Sequence, residues 1–373
     1  MLIQLNLFLS LALSFTIVYF VIPKVVKVSH IKNLFDIPNH RSAAKKATPR
    51  LGGVAILAGF AISLIISADN LNVNELKYLF AGIITMFLIG IKDDFIGLDA
   101  RKKFAVQIFM AIYLVIPGHY LITNLHGLFG IHEINYLTGL LISILIIVGI
   151  INSLNLIDGV DGLASGISLL ISTVYGVYFL LAGDILYALT CFSLTGSLIA
   201  FFLYNVFGKT NKIFMGDAGS LVLGTIIALA TIHFNEYTPT NINIPQGLPA
   251  VSFAIVMVPV IDTLRVFAIR IKQKRSPFSP DMNHIHHNLL SLTKNHLSTT
   301  LIILAFNGFM ILTAISLIDV IGNAYLFLLL VILGFTFANI PALILKYQDN
   351  NKEELQGSRS VFALSIFIKK FRA

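Results

Sequence analysis

Four separated stretches of this 373-residue chain gather carboxylates, imidazoles and glycines: KDDFIGLDARKK (92–103), NSLNLIDGVDGLASG (152–166), KIFMGDAGS (212–220) and RSPFSPDMNHIHHNLL (275–290). Of 18 acidic residues, Asp93, Asp94, Asp99, Asp158, Asp161, Asp217 and Asp281 lie in these stretches, and Asp262 stands at the end of an apolar run. Carboxylate clusters offer only oxygen, which suits Mg²⁺, a cation usually held by one or two carboxylates and by substrate phosphates. The Lys and Arg residues beside them then read as phosphate clamps. Metal-assisted phosphoryl transfer is the chemistry these residues suggest. Each piece has a plainer reading. Asp158, Asp161 and Asp217 could be helix N-caps, although capping accounts for one of the first two and not both. Adjacent Asp93 and Asp94 repel each other unless a cation or a proton is shared. His284, His286 and His287 could be an exposed polar loop; they lack the closed Cys/His spacing of a zinc site, and the single cysteine, Cys191, rules out a disulfide within the chain.

The elements that must position these residues are membrane helices. With 57% hydrophobic and 12% charged residues and a mean hydropathy of +0.87, the chain cannot cover a soluble core with polar surface. Apolar runs near the roughly 20-residue length of a bilayer span give eleven candidates, near 3–22, 51–68, 76–91, 104–120, 137–153, 163–182, 185–204, 219–235, 248–270, 298–318 and 324–345. The expectation is an all-α polytopic membrane protein. Residues 1–22 read as a retained first span, lacking the basic start and small-residue cleavage site of a removable signal. Alternating the connections between two sides leaves only Lys77, of 26 Lys and Arg residues, opposite the rest. The positive-inside rule then makes the basic side cytoplasmic, with the N-terminus out and the C-terminus in. All four chemical stretches fall on that basic side. His119, His126, His132 and His233 fall on or near the opposite loops and read as ordinary polar or interfacial residues. The end of the chain, VFALSIFIKKFRA, reads as a short interfacial helix.

In order and spacing, NSLNLIDGVDGLASG, DDFIGL, FMGDAGS and HIHHNLL resemble the motifs of the polyprenyl-phosphate N-acetylhexosamine-1-phosphate transferases, glycosyltransferase family 4. The similarity runs from DIPNHRSAAKKATPRLGG to the histidine loop. It implies transfer of a sugar 1-phosphate from a UDP-sugar to a membrane polyprenyl phosphate, with release of UMP and a requirement for Mg²⁺, Mn²⁺ being a substitute. The HIHH form and eleven spans resemble the branch acting on UDP-N-acetylglucosamine and undecaprenyl phosphate to start O-antigen, common antigen or teichoic acid, in the bacterial cytoplasmic (inner) membrane. Carried over by position, Asp217 would be the principal metal ligand, and Asp93 and Asp94 the pair assigned to catalysis or to helping hold the metal. Phe214 would stack on uracil; Asn155, Asp158 and Asp161 match nucleotide-pocket residues, with Asn205 as an addition. Lys45 or Lys46 would meet the diphosphate, and Arg265, His284, His286 and His287 would bind phosphate or support the donor. One departure is AAKKATPRLGG, where many relatives have His before the Lys and Pro before the Thr. The implied organisation is one catalytic domain over 1–346, its site built from 23–50, 92–103, 152–166, 205–220 and 271–297, with a cytoplasmic tail over 347–373. The implied partners are the two substrates and membrane lipids, with no nucleic acid, and a homodimer.

Three other classes fit less well. An ion-coupled transporter also carries membrane carboxylates, but near the midplane and in repeated halves; here they lie at one face, without a visible repeat. A CDP-alcohol phosphatidyltransferase resembles Asp-Gly, two residues, Ala-Arg and further aspartates on one helix, whereas Ser165 and Gly166 follow Asp161-Gly162 here. A non-catalytic scaffold has no need of all four stretches.

Overall fold

The computed structural model describes residues 2–36, 47–68, 76–241, 247–276 and 281–371, with side chains described over 5–36, 47–68, 76–241, 247–276 and 281–351. Lys45 and Lys46 lie outside the described residues. The chain is an all-α membrane protein. Its helices are α1 (Leu2–Lys32), α2 (Gly52–Ser67), α3 (Leu76–Ile96), α4 (Ala100–Val115), α5 (Tyr136–Ile157), α6 (Leu163–Ala182), α7 (Ile185–Phe202), α8 (Gly216–Glu236), α9 (Pro249–Lys272), α10 (Ile285–Thr293) and α11 (His296–Phe371). Among the described residues seven of these, α1, α5 to α9 and α11, are long and apolar enough to cross a membrane. The helix α2 is apolar but shorter, while α3 and α4 carry Lys92-Asp93-Asp94 and Arg101-Lys102-Lys103 at one end. At Gly322, φ 75° and ψ 168° break helical geometry inside α11, so the two spans expected over 298–345 meet there. The backbone helix runs on to Phe371 through the segment read as an interfacial tail.

The strands are short. Antiparallel β1 (Phe35–Asp36) and β2 (Thr48–Pro49) pair Phe35 with Pro49, and β3 (Asn124–Leu128) pairs with β4 (Ile131–Glu133) at the other end of the bundle.

The most enclosed element is α8, whose sequence GDAGSLVLGTIIALATI is dominated by small and β-branched residues. It packs against α2, α3, α5 and α6. Small residues let the backbones touch, as between membrane helices generally: a Cβ at Gly90 of α3 would stand 2.4 Å from Ala218 Cα, and one at Gly53 of α2 would stand 2.2 Å from the Gly219 nitrogen. Neither obstacle is a side chain that can rotate away. The crossings fix the start of α8, where Asp217 lies, against the end of α3, where Asp93 and Asp94 lie. Gly90→Ala should therefore push α3 off α8 and lower stability by about 1–3 kcal/mol, the usual cost of overpacking. The check is the melting temperature in detergent; an unchanged melt would mean that the two backbones are not in this contact.

Candidate active site

The start of α8 lacks a cap from its own chain segment. Met215 is the N-cap residue and offers no side-chain acceptor. The cap comes from α3: Asp94 Oδ1 accepts from the Asp217 N–H (2.9 Å) and Oδ2 from the Ala218 N–H (3.0 Å). A carboxylate on two orphan N–H groups at a helix N-terminus satisfies both hydrogen bonding and the helix dipole. Gly216 makes the approach fit, because at φ +72° a Cβ would stand 2.2 Å from the Arg50 carbonyl and within 2.9 Å of both Asp94 oxygens. With 5% exposure, Asp94 sits behind the recess rather than in it. The expectation that Asp93 and Asp94 share a cation or proton therefore changes: the two side chains diverge, and Asp94 positions α8.

Relieved of capping, Asp217 turns its carboxylate outward. Oδ1 accepts a short hydrogen bond from Asn155 Nδ2, and Oδ2 lies 3.0 Å from Lys103 Nζ. Lys103 also reaches Asp93 Oδ2 (2.9 Å) and Asn155 Oδ1 (3.3 Å), while Asp93 Oδ1 accepts from the Leu98 N–H (2.6 Å). Asn155 Nδ2 also reaches Ser220 Oγ at 2.8 Å. Lys103 is thus the cation that joins Asp93, Asp217 and Asn155, and it was not among the residues expected from sequence. A signal was present: Gln107, one helical turn along α4, is fully buried and bonded to Asn152 Nδ2 of α5 (2.6 Å), so Lys103–Asn155 and Gln107–Asn152 form one polar seam. Lys103→Met should lower transfer by about a hundredfold, the order lost when a site's organised charge is removed. Steady-state rates on folded protein test this, and wild-type turnover would remove Lys103 from the site.

Neither Asp158 nor Asp161 caps α6, whose N-cap is Gly162. Asp158 ends α5 and makes no hydrogen bond among the described residues. Solvent reaches it from the open side while protein encloses it on the others. Burial, followed by the charges of Asp217, Asp94, Asp161 and Asp36, pushes its carboxyl up to about 7. Asp161 shows the opposite balance: burial alone would raise it, but hydrogen bonds from His296 and Lys212 hold it below the usual range. Its Oδ2 lies 2.6 Å from Lys212 Nζ and 3.2 Å from His296 Nδ1. His296 is a second residue the sequence reading missed. Asn205 accepts from the Gly162 N–H (2.6 Å) and donates to the Ile213 carbonyl (2.8 Å). It is buried, so the expected ligand contact gives way to a brace between the 158–162 turn and the segment carrying Phe214. That segment is laid against β2 and α2 by Phe214 N–H to Pro49 O (2.7 Å) and Gly52 N–H to Phe214 O (2.9 Å). The Phe214 ring is half-buried, with Lys212 Nζ 6.0 Å from its centre.

The histidine loop is organised around Asp262, the eighth of the acids pooled in the sequence. Its Oδ2 accepts from His284 Nδ1 (2.8 Å), and its Oδ1 from the Ile285 N–H (2.8 Å) and Arg265 Nη2 (3.1 Å). Arg265 Nη2 also donates to the Asn283 carbonyl. The other face of His284, Nε2, is 3.4 Å from Arg270 Nη2. His284 and Arg265 are therefore internal and hold the loop. His286 is 1% exposed, and its Nε2 would stand 2.6 Å from a Cβ at Gly159, so it underlies the Asp158 turn. Burial, then the His287 imidazole, pushes His286 well below its usual value, leaving it neutral. Half-buried His287 is displaced the same way, by burial and then by His284. Arg270 Nε donates to Asp281 Oδ2 (2.8 Å), and despite partial burial this bond and the Asn283 N–H lower Asp281 to about 2. A depressed acid contributes stability above its usual range and loses it as pH falls through about 2, so at neutral pH the whole contribution is present. Asp281→Asn should then cost about 3 kcal/mol, because it leaves a buried guanidinium without its carboxylate. Thermal melting of the variant near pH 7 measures this, and a shift no larger than that of a surface substitution would contradict it.

The acids pooled in the sequence thus divide by role. Asp94, Asp99, Asp262 and Asp281 hold backbone or partner side chains, Asp99 by capping α4 through the Arg101 N–H (2.9 Å). Asp158 and Asp217 keep solvent-reached carboxylates near each other, and the open face they share, flanked by the Asp93–Lys103 and Asp161–Lys212 pairs, is the recess.

Comparison with known proteins places the chain in a family. The profile of glycosyl transferase family 4 matches residues 76–235, which include Asp93, Asn155, Asp158 and Asp217. The decaprenyl-phosphate N-acetylglucosaminephosphotransferase of Mycolicibacterium smegmatis is 31% identical over 307 residues, 75% of this chain and 74% of that protein. The probable undecaprenyl-phosphate N-acetylglucosaminyl 1-phosphate transferase of Bacillus subtilis is 29% identical over 322 residues, 84% and 86% of the two chains. The undecaprenyl-phosphate alpha-N-acetylglucosaminyl 1-phosphate transferase of Yersinia pestis is 26% identical over 267 residues, 71% of each.

Proposed function

This chain belongs to glycosyl transferase family 4, and from that premise we propose that it transfers N-acetylglucosamine 1-phosphate from UDP-N-acetylglucosamine to undecaprenyl phosphate in the bacterial cytoplasmic membrane. The products are undecaprenyl-diphospho-N-acetylglucosamine and UMP, the first membrane intermediate of a cell-surface polysaccharide. The observation that carries this reading is the Asp217 recess at the ends of α3, α5 and α8, where a headgroup phosphate and a water-soluble nucleotide can meet.

The donor set fits a hard cation. Asp217 and Asp158 present carboxylate oxygens, and neither residue is spent on capping. Mg²⁺, or Mn²⁺ in its place, would be held there and would neutralise charge on the donor diphosphate. Asn155 and Lys103 fix the direction of the Asp217 carboxylate. A Phe214 ring beside Lys212 offers a stacking surface for uracil next to a cation for the nucleotide phosphate.

An oxygen of the lipid phosphate attacks the sugar-bearing phosphorus as the bond from that phosphorus to the UMP oxygen breaks. A phosphomonoester with a second pKa near 6 is largely dianionic at neutral pH, so the attack needs little help from a base. Asp94 cannot be the nucleophile of a two-step route, since its oxygens are buried on two backbone N–H groups. Asp93 keeps its place beside the recess, bonded to Lys103 and the Leu98 N–H. Direct in-line displacement is the simpler course for these residues.

Mass spectrometry of the products tests the proposal. Equal amounts of diphosphate-linked sugar lipid and UMP are expected; a monophosphate-linked sugar lipid with UDP would mean sugar transfer instead and overturn it. Product with another UDP-N-acetylhexosamine alone would change the sugar and keep the chemistry.

A further inference from the structure

The end of the bundle opposite the recess holds a separate cavity, of about 350 Å³, lined by Lys77, Tyr78, Gly118, His119, Tyr120, Tyr187 and His233. His233 lies sixteen residues beyond Asp217 on α8, a rise of about 24 Å at 1.5 Å per residue. The cavity is therefore separate from the site above. Two of the histidines set aside in the sequence as scattered polar residues, His119 and His233, are brought together here. His233 is held rigidly, with Nε2 on Asp184 Oδ2 (2.6 Å) and its ring stacked on Tyr187 at 3.5 Å and 11°. Tyr187 in turn donates to the Tyr120 hydroxyl (2.7 Å). His119 is exposed at the mouth with φ +60°, a left-handed backbone that a residue with a Cβ adopts only when its surroundings impose it. Lys77, the one basic residue that the topology reading leaves on this side, extends its ammonium over the Tyr78 ring at 4.9 Å.

The two carboxylates near the cavity are already bonded. Asp184 is paired with His233 and also caps α7 through the Tyr187 N–H (3.0 Å). Glu236 is taken by the Thr123 N–H (2.9 Å) and hydroxyl (2.6 Å). Lys77 and His119 have no carboxylate partner among the described residues. One ammonium, two imidazoles and three phenols around a cavity of this size suit a tetrahedral oxyanion, which accepts several charge-assisted hydrogen bonds at once. Tyr78, Tyr113 and the exposed Ile116 beside it are of the kinds found where a helix bundle meets a bilayer interface.

We propose that this cavity binds a phosphate-class oxyanion, with Lys77 and His119 as its binding residues and His233, held by Asp184, as part of its wall. The same chemistry is offered by free phosphate and by the headgroup of an anionic phospholipid. The experiment separates them. The chain has no tryptophan, so Tyr78→Trp places a single fluorescent reporter in the cavity that is blind to anions in the distant recess. The full chain carrying it is placed in phosphatidylcholine nanodiscs and titrated with inorganic phosphate, and separately in discs containing phosphatidylglycerol. A saturable emission change with phosphate identifies the free ion; a change in the phosphatidylglycerol discs alone identifies the lipid headgroup. In either arm Lys77→Gln should weaken the response at least about tenfold, and His119→Gly, which keeps the left-handed backbone while removing the imidazole, should weaken it too. Equal melting temperatures show that the variants fold. No response to either probe, or a response that Lys77→Gln leaves intact, overturns the proposal.

Discussion

Asp217→Asn is expected to keep its fold and lose transfer by at least about a thousandfold, the scale on which removing a metal ligand or a main electrostatic contact acts. Its amide oxygen can still accept from Asn155 or Lys103, and the backbone N–H groups at the start of α8 stay capped by Asp94, so that end of the helix has no reason to move. What is lost is the negative charge of the recess residue on which the site's hydrogen bonds converge. Initial rates with saturating donor and lipid, set beside the melting temperature, give the answer. Wild-type rates in Asp217→Asn would remove the Asp217 charge from the catalytic machinery. A melting temperature that collapses with the rate would show Asp217 to be structural.

Asp94 should behave differently, although the sequence makes it the twin of Asp93. Asp94→Ala leaves two buried N–H groups at the start of α8 without acceptors, and the expected loss of stability is about 3 kcal/mol. Activity falls as well, because the same N–H groups set the position of Asp217. Asp94→Asn keeps one acceptor and turns an amide NH₂ toward the other N–H, so it should fall between Asp94→Ala and wild type in melting temperature. A catalytic Asp94 would give the reverse pattern, a stable and inactive Asp94→Asn. Asp93→Asn supplies the contrast: Asp93 is bonded to Lys103 and the Leu98 N–H rather than to α8, so its replacement should lower the rate more than the stability.

The sequence made the membrane helices and the face of the chemistry legible because both rest on local signals: long apolar runs and acids at their ends. Asp217, Asn155 and Asp158 were singled out from motifs, and the structure brings Asp217 and Asn155 into contact. The division of labour among the acids was not legible. That Asp94 caps a helix more than 120 residues away depends on the crossing of α3 and α8 at Gly90, which no local pattern encodes. Lys103 was hidden among Arg101 and Lys102, which stay exposed and look like topology-setting charge; only the buried Gln107 one turn on marks the face that turns inward. Asn205 and His284 show the converse. Their types suit ligand binding, but both nitrogens of His284 and both ends of the Asn205 amide are used within the protein. On the opposite side, Asp184, His119 and His233 are far apart in sequence, and helix packing alone makes them neighbours.

Transfer of label from radioactive UDP-N-acetylglucosamine into organic-extractable lipid, by purified protein with undecaprenyl phosphate and with or without Mg²⁺, tests the central claim most directly. The account predicts labelled lipid only when the cation is present, with UMP released in equal amount. Absence of labelled lipid with every UDP-N-acetylhexosamine donor, from protein that melts cooperatively, would contradict it.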